Sequence, residues 1–261
     1  MKTLITGASG AVGTVLCQHL EERGDEVSRW PRDRVAPWDT DGIAAFIEEQ
    51  APEVLFHLAI ASQPTGRDNE GWVVNYEWPG HLAAACRRLG VTFVFTSTVM
   101  VFSNDARGPF DRSSIPDASE GYGYEKRRAE EHVGEHNPDA RVVRLGWQIG
   151  REPGSNNMID FFASNMAEYG EARASTRWYP ATSFLEDTAA VLVDLVTRPP
   201  GLYMVDSNRS WTFHEIACAL DKEHGERWKI VPTDEFVYDQ RMTDDAIEVP
   251  SLKIRLPGLP G

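Results

Sequence analysis

The chain is short of cysteine, of positive charge and of long apolar runs. Its three cysteines, Cys17, Cys86 and Cys218, stand far apart and in no CxxC spacing. That excludes a disulfide framework and a cysteine zinc site, and each falls in a segment that reads as helix, where a lone thiol serves as a small buried hydrophobe. Lysine and arginine number 26 against 40 aspartates and glutamates, a formal net charge of −14. Such a field repels phosphate backbones and anionic lipid surfaces, so neither nucleic acid nor membrane is expected as a partner. An anionic small ligand remains open, because a local basic cluster can outweigh the global field. No apolar run is long enough to cross a bilayer, and the expectation is a soluble, reduced, cytoplasmic protein. Histidines are scattered. His132 and His136 stand four apart in an acidic stretch without an HExxH pattern, which reads as a solvated helix face, and no metal site is expected. His57 lies inside an apolar strand and reads as a satisfied core residue.

What is present is a regular alternation. Strands are expected at residues 2–6, 26–30, 54–59, 92–97 and 140–145, and helices at 11–23, 41–50, 76–89 and 122–135. The strands are near-continuous apolar runs ("VLFHLA", "TFVFTS"), as required when both faces of a sheet are covered. Strand and helix in turn predict an α/β fold: a Rossmann-type doubly wound parallel sheet. After residue 150 the pattern changes. Helices are expected at 158–168 and 184–197, strands at 202–206 and 228–232, and Thr212 with Glu215 forms a capping box. The expected organisation is a dinucleotide-binding domain over 1–150 and a smaller C-terminal substrate lobe over 151–261, with part of 184–206 returning to the main sheet.

The stretch "TLITGASGAVGTVLCQHLEERG" places Gly7, Gly10 and Gly13 between the first strand and the first helix. Glycines there permit a tight turn, close approach of a pyrophosphate and close helix–strand packing, while the helix N-terminus offers free N–H groups to phosphate. Gly7, Ser9, Gly10, Ala11, Val12 and Gly13 are therefore the expected cofactor loop. An NAD site carries Asp or Glu at the end of the second strand; here the stretch is "SRWPRDR". Arg29 and Arg32 can pair with a 2′-phosphate, which points to NADPH, with NADP preferred over NAD.

"GYGYEKRRAEE" sets Tyr122 and Lys126 one helical turn apart, on one face. A nearby ammonium favours the phenolate, and a tuned tyrosine can give a proton to a carbonyl oxygen as hydride arrives. Tyr124, two residues before Lys126, faces elsewhere. "FTSTVMVF" ends the fourth strand at the carboxyl edge, where Ser97 or Thr98 can donate to a substrate oxygen. Trp147 and Trp178 fall in loop regions beyond the strands and read either as stacking surfaces for a sugar or base or as core. Arg144 and Arg177 read either as phosphate ligands or as ion-pair partners.

Together these segments resemble the extended short-chain dehydrogenase/reductase superfamily over nearly the whole length, and most closely its dTDP-4-dehydrorhamnose reductase branch, the sugar-nucleotide-binding reductases. "TGASGAVG" matches the cofactor loop, and "FHLAIAS" the strand running beside the cofactor, which brings in Leu58 and Ala59. Asn75 in "VVNYEWPGHLAAA" matches the family's Asn before the catalytic strand, and Thr98, Tyr122 and Lys126 match its Ser/Thr–Tyr–Lys triad. "STVMVF", "RLGWQIG", "YPATSFLEDTA" and "GLYMVDSNRSWTFHEIA" resemble segments of that branch. The resemblance gives Ser97 and Trp147 substrate-facing roles and implies reduction of a carbonyl, a 4-keto sugar nucleotide, with a homodimer formed through the 76–89 and 122–135 helices. Val99 and Met100 replace the acidic and aromatic residues usual after the catalytic Thr. They cannot move protons, which disfavours the dehydration carried out by related enzymes. A sugar-nucleotide epimerase with the same triad and a non-catalytic NADP-binding redox sensor are the alternatives.

Overall fold

The computed structural model describes residues 1–61 and 65–261. Ser62, the last residue of "FHLAIAS", lies outside the described residues. The elements run β1 (Lys2–Thr6), α1 (Ala11–Glu22), β2 (Glu26–Arg29), α2 (Thr40–Gln50), β3 (Val54–His57), α3 (Glu70–Trp72), a π-helical stretch (Val73–Glu77), α4 (Trp78–Leu89), β4 (Thr92–Thr98), α5 (Gly121–His136) and β5 (Arg141–Leu145). Then come β6 (Trp147–Ile149), α6 (Met158–Tyr169), β7 (Ala172–Ser175), β8 (Trp178–Tyr179), β9 (Thr182–Phe184), α7 (Leu185–Asp194), β10 (Gly201–Val205), α8 (Phe213–Glu223), β11 (Ile230–Thr233), β12 (Tyr238–Asp239) and α9 (Leu252–Arg255). Two compact units form: Met1–Ser103, Ile115–Arg144 and Ala189–Tyr203 make unit 1, and Asn104–Ser114, Leu145–Thr188 and Met204–Gly261 make unit 2.

The sheet of unit 1 has the order β10-β5-β4-β3-β1-β2. The chain leaves β1 for β2 on one side and returns to β3 on the other, so the switch point of this doubly wound sheet lies between β1 and β3. The pairs β1–β2, β1–β3 and β3–β4 are parallel, and Thr6 stands level with His57, and His57 with Phe95. The carboxyl ends of β1 and β3 are therefore flush, while β4 runs three residues further, to Thr98. Leu4, Leu55, Phe93 and Phe95 face one core with Ile43, Trp78, Leu82 and Val133. Ile5, Phe56 and Val94 alternate to the other face and are also buried, which is why these strands lack a polar side.

Unit 2 is built from short parallel pairs, β7–β11, β8–β12 and β6–β9, around a core in which Phe162, Phe213, Ile216, Leu220, Trp228 and Leu252 meet. Its helix α8 opens with the expected capping box: Thr212 accepts from Glu215 N while the Glu215 carboxylate accepts from Thr212 N.

Most boundaries fall within a residue of expectation, and three others differ by more. The strand expected over 54–59 ends at His57, because the N–H groups of Leu58 and Ala59 turn to the Thr6 hydroxyl, at 3.2 and 3.3 Å. The helix expected at 76–89 is entered six residues earlier, at Glu70, through the π-helical stretch. A π turn adds a residue per turn and breaks the 3.6-residue stripe that marks a helix in sequence. The strand expected over 228–232 lies at Ile230–Thr233.

Candidate active site

The opening turn is shaped by two glycines. Gly7 has φ +69, and a Cβ there would stand 2.7 Å from Ala59 N and 2.8 Å from Leu58 C. The turn thus lies directly against the chain leaving β3, and only glycine fits both the angle and the space. At Gly13 a Cβ would meet Gly7 O at 2.1 Å, so helix α1 sits down on the turn as close as backbone allows. Gly10 is the N-cap of α1, no side chain caps the helix, and no acidic residue lies in the first turn. The free N–H groups and the positive end of the helix dipole are left for an anion. Ser9 is exposed and Ala11 and Val12 are half-buried in this turn. These residues fit a dinucleotide diphosphate: no side chain occupies the helix end as a cap, no carboxylate opposes an anion there, and backbone donors are on offer.

At the end of β4, Thr98 accepts from Met100 N at 3.2 Å and starts the 3₁₀ turn Val99–Val101. Its oxygen is used as an acceptor, which leaves the hydroxyl proton to donate. Ser97 is buried, and its hydroxyl has no partner among the described residues. Helix α5 is pressed against this turn, for a Cβ at Gly123 would stand 2.1 Å from Met100 O. Arg127 of α5 donates to Ala118 O, and Ala118 N in turn reaches Val101 O at 3.0 Å. Gly123, between the two tyrosines of "GYGYEK", is thus what brings Tyr122 and Lys126 alongside the end of β4. Its role was visible only as an odd glycine in a helical run.

Lys126 is fully buried, with Nζ 4.0 Å from the centre of the Phe95 ring. Burial pushes its ammonium down to about 7, with Glu130 and then Glu125 opposing. Tyr122 is pushed up, first by burial and then by the Glu125 carboxylate, so the phenol is held protonated, contrary to the expectation that the Lys126 ammonium would favour the phenolate. His57, buried on β3, is pushed well below the usual imidazole range by burial and by Lys126. Asn75, in the middle of the π-helical stretch, ties the neighbourhood together. Its Oδ1 accepts from Ala61 N at 3.0 Å and its Nδ2 donates to Glu125 Oε2 at 2.8 Å. Glu125 is a residue that the sequence did not mark as functional.

Arg29 ends β2 level with Ile5 and holds Glu21 at 2.8 Å; Arg32 holds Glu70 at 3.0 Å, and Glu70 also accepts from Thr65. Both arginines are exposed, and the Arg29–Glu21 pair, exposed on both sides, exchanges partners cheaply, whereas Glu70 is buried. Arg144 is a structural group: its guanidinium is buried and clasps Glu130 at 2.7 and 2.9 Å. Arg177 is exposed. In unit 2, Trp147 donates from Nε1 to Asn156 O, stacks on Trp178 with ring centres 6.0 Å apart and meets Phe161 edge-on, half-buried at the border of the aromatic core. Cys17 and Cys86 are buried as expected, and Cys218 is half-buried beside His214. Among the described residues no helix is long and apolar enough to cross a membrane.

A glycine turn at the switch point of a doubly wound sheet, with a Thr–Tyr–Lys set on the neighbouring strand end and helix, defines the extended short-chain dehydrogenase/reductase class of NAD(P)-dependent reductases. Comparison with known proteins agrees. Residues 1–243 match the RmlD substrate binding domain, and the chain belongs to that family of sugar-nucleotide reductases. It is 32% identical over 246 residues to a dTDP-4-dehydrorhamnose reductase of Burkholderia thailandensis, covering 89% of this chain and 80% of that one. It is also 32% identical over 227 residues to one from Streptomyces griseus, covering 82% and 73%. Among solved structures, a dTDP-4-dehydrorhamnose reductase of Clostridium acetobutylicum superposes with a TM-score of 0.85 at 21% identity, over 99% of this chain and 98% of that one. The Bacillus anthracis enzyme in complex with NADP follows at 0.83 and 19%, over 99% of each chain. The Bordetella bronchiseptica enzyme WbmG in complex with NAD gives 0.74 and 19%, over 93% and 85%.

Proposed function

We propose that this protein is an NADPH-dependent reductase of a 4-keto sugar nucleotide, with Tyr122 as the general acid. The observation that supports the reading is the packing of α5 onto the turn after β4 at Gly123, next to Tyr122, with Lys126 seated on the Phe95 ring of β4. The nicotinamide, when bound, supplies the hydride. The α1 N-terminus and the Gly7–Gly13 turn bind the diphosphate, and Leu58 and Ala59 wall the cofactor beside β3. Arg29 and Arg32 release Glu21 and Glu70 to take the 2′-phosphate, which is the basis for preferring NADP. Thr98, with its proton free, donates to the substrate oxygen. Ser97, with an unused hydroxyl, serves as a second donor. Tyr122 passes its phenolic proton to the carbonyl oxygen, and Lys126 supports the phenolate left behind. Trp147 is assigned to substrate contact, and a homodimer through α4 and α5 belongs to the same reading.

The test is consumption of NADPH with dTDP-linked and UDP-linked 4-keto sugars by the purified chain. Turnover with a stoichiometric 4-hydroxy product supports the reading. No turnover across the panel overturns it, and tightly co-purifying NAD(H) with interconversion of two epimers would replace it by the epimerase.

A further inference from the structure

Within the reading of Tyr122 as the acid, on which this inference rests, one carboxylate is unaccounted for. Glu125 stands three residues after Tyr122, a neighbour on the same helix. Its environment is built with unusual specificity. Asn75 ties it to the chain after β3, taking Ala61 N on Oδ1 at 3.0 Å and giving Nδ2 to Glu125 Oε2 at 2.8 Å. Asn75 is buried and lies in a π-helical stretch, a departure from α-helix that costs stability and recurs at functional sites. On the other side, a Cβ at Gly71 would stand 2.8 Å from Glu125 Oε1, so this position leaves room for the carboxylate. Asn75 thus holds one oxygen, and Gly71 leaves room for the other.

We propose that Glu125, held by Asn75, is a positioning residue that keeps the proton on Tyr122 before reduction and balances the buried charge of Lys126, so that the pair is set for proton donation rather than proton removal. In the reduction direction the acid must carry its proton when the substrate arrives. A negative charge one turn away opposes the phenolate and favours the ammonium, and both effects retain protons on the pair. The directions at Tyr122 and Lys126 agree: Glu125 raises both. The other charges acting on Lys126 are few. Glu130 of α5 also raises it, but that carboxylate is shared with Arg144 of β5, and His57 of β3 is neutral. On β4 the neighbour is the Phe95 ring.

The experiment is the pH profile of NADPH-dependent reduction for the wild type, Glu125→Gln, Asn75→Ala and Tyr122→Phe. A tyrosinate difference-absorbance titration of the ligand-free proteins accompanies it, in which Tyr122→Phe identifies the Tyr122 signal. Gln keeps the oxygen that accepts from Asn75 and removes only the charge. The rate of Glu125→Gln on the acid side should stay within about threefold of wild type, while its alkaline limb moves down by about half to one pH unit, the scale of one partly screened charge at this range. The Tyr122 absorbance step should move the same way. Asn75→Ala, which frees the carboxylate to solvent, should shift both by less, and it serves if Glu125→Gln does not fold. An unmoved limb and absorbance step, or an equal loss of rate at every pH, overturns the proposal. Full activity of Tyr122→Phe would instead remove the acid assignment itself, a separate failure.

Discussion

The buried carboxylates of unit 2 each take at least two donors, although burial still pushes Asp206 up to about 7. Asp206 accepts from the backbone N–H groups of Thr182, Asn208 and Met242 at 2.8–2.9 Å. Asp187 is clasped by Arg255 at 2.6 and 2.9 Å, and Asp244 takes Met204 N, Ala246 N and Arg112. In unit 1 the buried Lys126 rests on the face of an aromatic ring, and the hydroxyl of Ser97 and the Nε2 of His57 have no partner among the described residues. Unit 1 can satisfy a charge, as Arg144 and Glu130 show. Ser97 and His57 stand at the carboxyl edge of β4 and β3; Trp78 Nε1 and His81 Nδ1 of α4 and Arg144 Nη1 of β5 are also without a partner among the described residues, as are the Ser183 and Ser207 hydroxyls of unit 2. The contrast is one of charge: unit 2 clasps its buried carboxylates with donors, while unit 1 keeps a buried amine against an aromatic face at a cost in stability.

The sharpest way to break this contrast is Tyr122→Phe. It should cut reduction by roughly 100-fold or more, the scale of general-acid loss, while the melting temperature and NADPH binding hold; a large fall in melting temperature would make the residue structural. Next, Asp206→Asn turns an acceptor oxygen towards backbone donors with a donor of its own. A loss of about 2–3 kcal/mol in denaturant unfolding is expected, and an unchanged midpoint would deny the carboxylate its stapling role.

Lys126→Met should be inactive yet more stable at neutral pH, by roughly 1–3 kcal/mol. The pH dependence carries the sign. The folded-state pKa near 7 lies below that of a free lysine, about 10.4, so between those values the unfolded chain binds more protons. Wild-type stability must then rise as pH climbs through that window. The Met variant should lose this rise, which thermal melts across the range would read. The smallest effect belongs to the two exposed arginines. Replacing Arg29 and Arg32 together by Ala should lower the NADPH-over-NADH ratio of kcat/KM by roughly tenfold, and an unchanged ratio would leave the ribose end unexplained.

Legibility followed the same division. Strands such as β3 and β4 declared themselves because burial on both faces leaves an unbroken apolar run. The Thr212–Glu215 capping box and the Gly7 and Gly13 turn were readable because each needs particular residue types at fixed offsets. Three strands of unit 2 were hidden: β7, β8 and β9 are two to four residues long, "ARAS", "WY" and "TSF", too short to show a period of two. The helical entry at Glu70 was hidden by the π turn. Arg144 could not be assigned from sequence, since its partner Glu130 lies fourteen residues away on another element. Glu125 escaped for a related reason. It lies between Tyr122 and Lys126 in a polar helix, and only its bond to Asn75, fifty residues back, sets it apart.

The Thr6 hydroxyl at the switch point has a spectroscopic consequence. Its oxygen takes the N–H groups of Leu58 and Ala59, so its single proton must go to His57 Nδ1, 2.7 Å away. That fixes the imidazole in one tautomer, with hydrogen on Nε2 and the ring edge-on to Trp78 at 4.9 Å between centres. With its protonation suppressed by burial and by Lys126, this ring keeps one nitrogen signature across the working pH range. In isotope-labelled protein it becomes a built-in reporter of whether the seam between the first and third strands is intact, readable without any substrate in the tube.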